Sequence, residues 1–238
     1  MSGLKTALLT FWAPGRALAQ AADERRFFWP LLLCTMVMLG FAALTVTRAD
    51  YVRLAETALE KTPEETAKLT PHEREEKIAT VCKVAIVGEF ASALLWPTTS
   101  VLLAALCLWL GFKVAGGAPG FVGTFAVLAH AMLPSALHEL LSVPALLTRS
   151  AIRVGEASQL LPSSLAALAP EGLPLPKLAL LGSVELFALW SVALVVLGMA
   201  HLAQVSRLRS AVVVTVLWAS FVLVFRFALP TLGGAGSS

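Results

Sequence analysis

Two stretches of the sequence, FFWPLLLCTMVMLGFAALTVT (27–47) and FASALLWPTTSVLLAALCLWLGF (90–112), decide the fold class. Neither contains Asp, Glu, His, Lys or Arg, and each is as long as the ~20 residues that a helix needs to cross a hydrocarbon layer. A bilayer offers no water to peptide groups, so such stretches pair their backbone internally as helices. They are too long for membrane strands and show no period-two polarity. The chain is therefore expected to be an integral membrane protein.

Three further apolar stretches, which contain a few polar side chains, follow along the chain at 120–147, 178–202 and 211–232. The sequence therefore predicts an all-α, multi-pass transmembrane helical bundle of five spans, with a short charged helical segment between spans one and two. The predicted spans lie at about 27–48, 86–112, 120–147, 178–202 and 210–230. They form one predicted membrane domain over 27–232, which a segment at 1–26 precedes.

The composition supports a membrane bundle and excludes several other classes. The chain has 238 residues, of which 58% are hydrophobic and 14% charged, whereas a soluble domain carries about a quarter charged residues. The net charge of +3 comes from dispersed side chains without a basic helix face, so no nucleic-acid partner is expected. The three cysteines are isolated in sequence, which favours apolar filling over disulfide or metal binding.

Residues 1–26 are predicted to form an N-terminal interfacial segment. Leu4, Leu8, Phe11 and Trp12 lie near one face of a helical pattern. Two placements are open: the lipid interface, or a helix end that packs on the bundle. The first long hydrophobic block exceeds the apolar core of a signal peptide, so the first span is expected to remain in the mature chain.

The segment 48–83 carries seven basic and eight acidic residues, and this near balance argues against a polyanion-binding tail. Two helix starts are legible in it, at Thr62-Pro63-Glu64-Glu65 and at Thr70-Pro71-His72-Glu73. Each has a threonine, a proline at the first helical position and a glutamate at the third, which is the pattern of a capping box. Helices are predicted at about 50–61 and from Pro71 onward.

Charge gives a preference for the orientation in the membrane. With five spans, Arg25-Arg26 and Arg207/Arg209 fall on the same side, which the positive-inside rule assigns to the cytoplasm. Simple counting of basic residues in 48–83 disfavours this orientation, but eight acids are interleaved with them. The predicted location is a bacterial inner membrane, with the N-terminus cytoplasmic and the C-terminus on the opposite side.

Two ionisable residues inside predicted spans form a candidate pair. Glu185 is placed about two turns inside span four, and Arg226 one to two turns from the end of span five. Adjacent antiparallel spans bring these positions to a similar depth, and an isolated charge in lipid is costly, so the two are predicted to pair. A structural clamp, a transport or proton-relay role, and separate snorkelling to the interface are the three interpretations.

Span three contains the other intramembrane polar positions, His130, His138 and Glu139, together with Pro134, which is expected to kink the helix. The H-E-x-x-H pattern is absent because position 142 is serine, so no metal is expected. The sequence also lacks a nucleophile elbow and a phosphate-binding glycine loop. No catalytic residue and no cofactor are therefore predicted.

The stretch SVELFALWSVALVVLG (183–198) resembles the signature of bacterial Yip1-domain proteins. In that signature an acidic residue opens a span, phenylalanine follows two positions later, and Leu-Trp-Ser precedes an apolar run that ends in glycine. The corresponding residues here are Glu185, Phe187, Leu189, Trp190, Ser191 and Gly198. RRFFWP (25–30), the glycine turn at 116–120 and the proline of span three are also similar to the family. The chain departs from it by having glutamate where aspartate is expected.

The resemblance, which covers about 10–230, implies an integral membrane protein without catalysis. It implies an adaptor or an accessory subunit of a membrane complex, since some bacterial relatives resemble accessory partners of ABC-type exporters. The expected partners are the lipid bilayer and a membrane protein. The alternative is a small transporter or permease subunit that uses its intramembrane Glu, Arg and His side chains.

Overall fold

The structure is a computed structural model that describes residues 3–61, 66, 69–154, 160–170, 173 and 175–228, without the side chains of 175–176 and 226–228. Helices make up all of the regular secondary structure in these ranges, and β pairing there is limited to two isolated bridges. The helices are α1 Gly3–Trp12, α2 Pro14–Asp23, α3 Phe28–Val46, α4 Tyr51–Glu60, α5 Pro71–Val114, α6 Phe121–Ala131, α7 Leu133–Leu147, a 3₁₀ turn Leu165–Leu168, α8 Leu175–Ser183, α9 Leu186–Leu202, α10 Arg207–Val222 and a π-helical turn Leu223–Ala228.

Within the described residues, four helical segments are long and apolar enough to cross a membrane: Phe28–Val46, Pro71–Val114, Phe121–Leu147 and Arg207–Phe225. The prediction of a continuous fourth span at 178–202 is wrong. The chain leaves the helical conformation between α8 and α9, and Glu185 is extended there, with φ −124° and ψ 142°. The apolar helix that remains, α9, has 17 residues.

The charged segment forms the helix α4 and the start of α5. Asp50 begins α4, because its carboxylate accepts a hydrogen bond from the Arg53 amide at 2.9 Å. At the start of α5 the Glu73 carboxylate accepts from the Thr70 amide at 2.8 Å, and the Glu73 amide donates to the Thr70 hydroxyl at 3.3 Å. The predicted capping box at Pro71 is therefore present. The other predicted start, at 62–65, lies outside the described residues.

The long helix α5 exceeds the thickness of the hydrocarbon layer. Its 44 residues extend ~66 Å at the usual rise per residue, against about 30 Å of hydrocarbon. Its first half carries the charges and its second half is apolar, so the span at 86–112 stays a prediction for the second half.

The described chain divides into two compact units. Unit 1 consists of Met1–Cys34, Pro97–Leu137 and Pro162–Ser238. Its apolar core is built by α2, α6, α9, α10 and the end of α5; the buried members are Leu18, Ala22, Leu108, Phe112, Val127, Ala131, Leu194, Val195, Met199, Ala203 and Val214. The helix α2 is thus part of the bundle interior. The sequence leaves two placements open for 1–26, the lipid interface or packing on the bundle. The helix α2 packs on the bundle.

The helix α1 has a mixed environment within unit 1. Thr6, Ala7 and Thr10 are buried, whereas Leu8 and Trp12 are exposed, Trp12 by 84%. An exposed tryptophan on an apolar helix face is typical of the membrane–water interface. We therefore propose that the face of α1 that carries Leu8 and Trp12 lies at the membrane–water interface.

Unit 2 consists of Thr35–Trp96 and His138–Leu161. Its small core contains Leu146, Ile152 and Leu160. A parallel bridge pairs Ala49 with Ile152, and the Arg48 guanidinium donates to the carbonyl of Arg149 at 2.9 Å. The chain after α3 is thereby attached to the chain after α7.

Glycines allow three close helix contacts inside unit 1. A Cβ atom at Gly111 would lie 2.7 Å from a methyl of Leu217, and one at Gly123 would lie 2.8 Å from a methyl of Leu202. A Cβ atom at Gly198 would lie 2.5 Å from Val127 Cγ1. Small residues at such positions let helix backbones approach closely in membranes, where packing rather than the hydrophobic effect drives helix association.

Candidate functional site

Glu185 is the N-cap residue of α9. Its Oε1 atom accepts a hydrogen bond from the Phe187 amide at 3.0 Å, and its Oε2 atom accepts one from the Ala188 amide at 2.8 Å. The first amides of a helix have no partner inside it, so the carboxylate satisfies two of them. The predicted position two turns inside a continuous span is therefore wrong: Glu185 lies at the entry of α9.

A short backbone pairing holds this entry in place. Ser164 and Glu185 form an antiparallel bridge. The Leu186 amide donates to the Ser163 carbonyl at 3.0 Å, and the Leu165 amide donates to the Val184 carbonyl at 3.1 Å. The apolar segment before α8 thus folds back on the start of α9, which explains why the chain is extended at a position that the sequence predicts to be helical.

The remaining motif residues pack α9 within unit 1. Phe187 is buried, and the rings of Trp190 and Phe11 form a T-shaped pair with centroids 5.7 Å apart. Leu189 is exposed. The Ser191 hydroxyl is buried and has no hydrogen-bond partner among the described residues. Phe187 and Trp190 therefore serve to pack α9 within unit 1, and Ser191 is the one described motif residue whose buried polar atom is unsatisfied.

Arg226, the predicted partner of Glu185, has a side chain outside the described residues. The Glu185–Arg226 pair therefore stays a prediction. The structure shows instead that both carboxylate oxygens of Glu185 already accept backbone hydrogen bonds. An arginine would add a charge interaction to an existing cap.

The polar positions of span three belong to different units. The helix is interrupted at Met132, close to Pro134, which has no amide to donate. His130, in unit 1, is fully buried; its Nδ1 atom donates to the Ala126 carbonyl at 2.9 Å, which leaves Nε2 without a partner among the described residues. His138 and Glu139 lie in unit 2. In the described part of the chain, no three potential metal-ligating side chains cluster together.

A polar cluster in unit 2 was not foreseen from the sequence. The Glu139 Oε2 atom and the Tyr51 hydroxyl are buried without a hydrogen-bond partner in the described residues. Burial, and then the charge of nearby Glu89, raise the pKa of Tyr51. The same carboxylate acts electrostatically on Glu139. Tyr51, Glu89 and Glu139 come from three helices, so no local pattern could have revealed the cluster.

Three turns meet at one end of unit 1. His201 Nε2 lies 3.1 Å from Asp23 Oδ1, which joins the ends of α9 and α2. A Cβ atom at Gly117, after α5, would lie 3.3 Å from the Ala203 Cβ, after α9. We call this the basic end, because its turns and the adjoining helix ends carry Arg25, Arg26, Lys113, Arg207 and Arg209. From the sequence, only the number of spans places Arg25-Arg26 on the same side as Arg207 and Arg209.

Comparison with known proteins identifies a family for this chain. The sequence model of the Yip1 domain matches residues 8–228, from the middle of α1 to the end of the helix that contains α10. No curated protein and no solved structure matches the chain. The matched region includes α2, the capped entry of α9 and the basic end.

Proposed function

Because the chain belongs to the Yip1-domain family, a family of membrane proteins, we propose that it is a non-catalytic adaptor or accessory subunit of a larger membrane complex, with an ABC-type exporter as the candidate partner. The observation that carries this proposal is the environment of the motif. Glu185 caps a helix, Phe187 is buried and Trp190 packs on α1. These side chains stabilise a scaffold, which is what an adaptor requires.

The packing of unit 1 supports the same proposal. Its core is apolar, and glycines bring the helix backbones close together at Gly111, Gly123 and Gly198. A substrate path needs polar groups that line an opening between helices. The close approach at Gly198 and Val127 brings the backbones of α6 and α9 together and disfavours an opening between these two helices. We therefore assign unit 1 a supporting role in the complex.

We propose that the chain crosses a bacterial inner membrane five times, with the basic end in the cytoplasm and the C-terminus on the opposite side. The helix α9 covers ~26 Å by its length, close to the thickness of the hydrocarbon layer. The turns that meet at the basic end collect five basic residues, which favours the cytoplasmic side.

Reporter fusions test this orientation. A fusion in the turn after Ala203 is expected to give a cytoplasmic signal, whereas fusions near Lys68 and after Ser238 are expected to report the opposite side. Cytoplasmic signals from Lys68 and Ser238 would invert the proposed orientation.

Site-specific photocrosslinking in cells tests the adaptor role. A photoreactive residue at Leu208 (75% exposed) or Val114 (90% exposed) at the basic end is expected to give a discrete protein adduct. The matched control is Val216, which is exposed in the middle of α10 and is expected to contact lipid. The crosslinked protein should be the same protein that co-purifies with the chain at constant stoichiometry in mild detergent. A monomer that turns over a substrate without a partner would contradict the proposal.

A transporter or permease subunit is the second candidate function, and the polar cluster in unit 2 favours it. Glu139 and Tyr51 place buried polar atoms without described partners beside the charge of Glu89, and such groups often mark ion or proton paths. Proteoliposome flux that is lost in Glu139→Gln and kept in Glu185→Asp would establish this alternative. The second variant retains the helix cap and therefore controls for folding.

A further inference from the structure

We propose that the entrance of α3 binds the phosphate headgroup of an anionic phospholipid through Arg25 and Arg26. A cavity of about 240 Å³ lies there. It is lined by the two arginines, by the aromatic residues Phe27 and Trp29, and by Gly3 of α1. Guanidinium groups bind phosphate oxygens in pairs, and basic pockets beside membrane helices accept anionic headgroups.

The backbone at Arg25 has an arginine at a position where glycine is the usual residue. The helix α2 ends with the Arg26 amide donating to the Ala21 carbonyl at 3.0 Å, and Arg25 takes the left-handed conformation, with φ 54°. Glycine is the favoured residue at this position of a helix C-terminus. At the end of α5 the same position is Gly116, with φ 78°. Arg25 therefore carries a conformational strain that glycine would not.

The charged side chains that line the cavity, Arg25 and Arg26, are both basic. Arg26 forms an ion pair with Glu24 and donates to the Thr6 hydroxyl at 3.2 Å, so its guanidinium is held in place and partly neutralised. The other nearby acid, Asp23, contacts His201. Arg25 is exposed and adds a positive charge that Glu24 does not offset. A monoanionic phosphodiester complements this arrangement.

The apolar surface beside the cavity favours a lipid over free phosphate. Phe28 is 61% exposed, and Leu32, one helical turn further along α3, is also exposed. Together they form a row that leads from the arginines along the predicted span, and an acyl chain can follow that row. Exposed aromatic rings at the start of a membrane-spanning helix are typical of the membrane–water interface.

Thermal unfolding in a neutral detergent tests the proposal with Arg25→Gly. The matched control is Gln204→Gly, because Gln204 has φ 53° at the end of α9, outside the cavity. Each variant places glycine at a left-handed position and so removes the conformational strain there. Each should therefore raise the Tm by roughly 2–4 °C in detergent alone. Added dioleoyl-phosphatidylglycerol is expected to raise the Tm of the wild type and of Gln204→Gly further, and to have no effect on Arg25→Gly. Dioleoyl-phosphatidylcholine at the same mole fraction should leave all three unchanged.

Three outcomes would overturn the proposal. The first is a phosphatidylglycerol shift in Arg25→Gly as large as in the wild type. The second is an equal shift with phosphatidylcholine, which would show that charge is not recognised. The third is a full shift with inorganic phosphate alone, which would assign the cavity to a free anion. Arg25→Asn, which also tolerates the left-handed conformation, repeats the test if the glycine variant does not fold.

Discussion

The substitution Gly198→Ala is expected to lower the free energy of unfolding by about 1–3 kcal/mol. A Cβ atom at this position would lie 2.5 Å from Val127 Cγ1 and 3.0 Å from Val127 Cγ2. Val127 is fully buried, and a β-branched side chain in a helix has one strongly preferred rotamer, so it cannot turn aside. The helices α6 and α9 must separate, and the contacts that drive their association are lost. Thermal unfolding in detergent measures the effect.

A compensating substitution and a control make this prediction specific. Val127→Ala creates space opposite residue 198, so the double variant should lose less stability than the sum of the two single variants. Gly40→Ala is the matched control, because a Cβ atom there has no neighbour within 4 Å. In a helix this change should stabilise by about 0.5–1 kcal/mol. If Gly198→Ala behaves like Gly40→Ala, the close contact between α6 and α9 does not exist.

The substitution Glu185→Ala is expected to cost about 1–2 kcal/mol of stability. It leaves the amides of Phe187 and Ala188 without the acceptors that the carboxylate now supplies at 3.0 and 2.8 Å. Asp and Asn are good N-cap residues, so Glu185→Asp and Glu185→Asn should retain most of the stability. Thermal unfolding in detergent again measures the effect, with Ser191→Ala as a neighbouring control that leaves the cap intact.

The same series separates the cap from the predicted charge pair with Arg226. A helix cap needs an acceptor atom, whereas an ion pair needs a negative charge. If the pair dominates, Glu185→Asn should be as damaging as Glu185→Ala, and Glu185→Gln combined with Arg226→Leu should cost less than the two single losses added together. If the cap dominates, Glu185→Asn is mild and the two losses add.

The cap also gives a physical reason for the acidic residue in the Yip1-like motif. The first amides of an apolar helix have no partner inside the helix and little access to water. One carboxylate at the N-cap can accept hydrogen bonds from two of these amides at once. Aspartate, which the resemblance leads one to expect, reaches the same amides with a shorter side chain. The glutamate of this chain therefore changes the reach of the cap and keeps its chemistry.

The membrane class and most helix positions were predictable, because they depend on properties local in sequence. The length of an apolar run decides whether a helix can span a bilayer, which is why the first predicted span agrees with Phe28–Val46. The Thr70–Glu73 capping box involves residues three positions apart, and α5 begins after it at Pro71. Such features need no knowledge of the rest of the chain.

The break before α9, the burial of α2 and the basic end arise from contacts between distant residues. Glu185 is extended because Ser164 pairs with it across 21 positions, and the ends of α2 and α9 meet through Asp23 and His201, 178 positions apart. In a long apolar run, helix is locally favourable at each residue, so the interruption depends on backbone pairing that forms only in the folded chain. Hydropathy predicts which segments enter the membrane, whereas the packing partners decide where each helix begins.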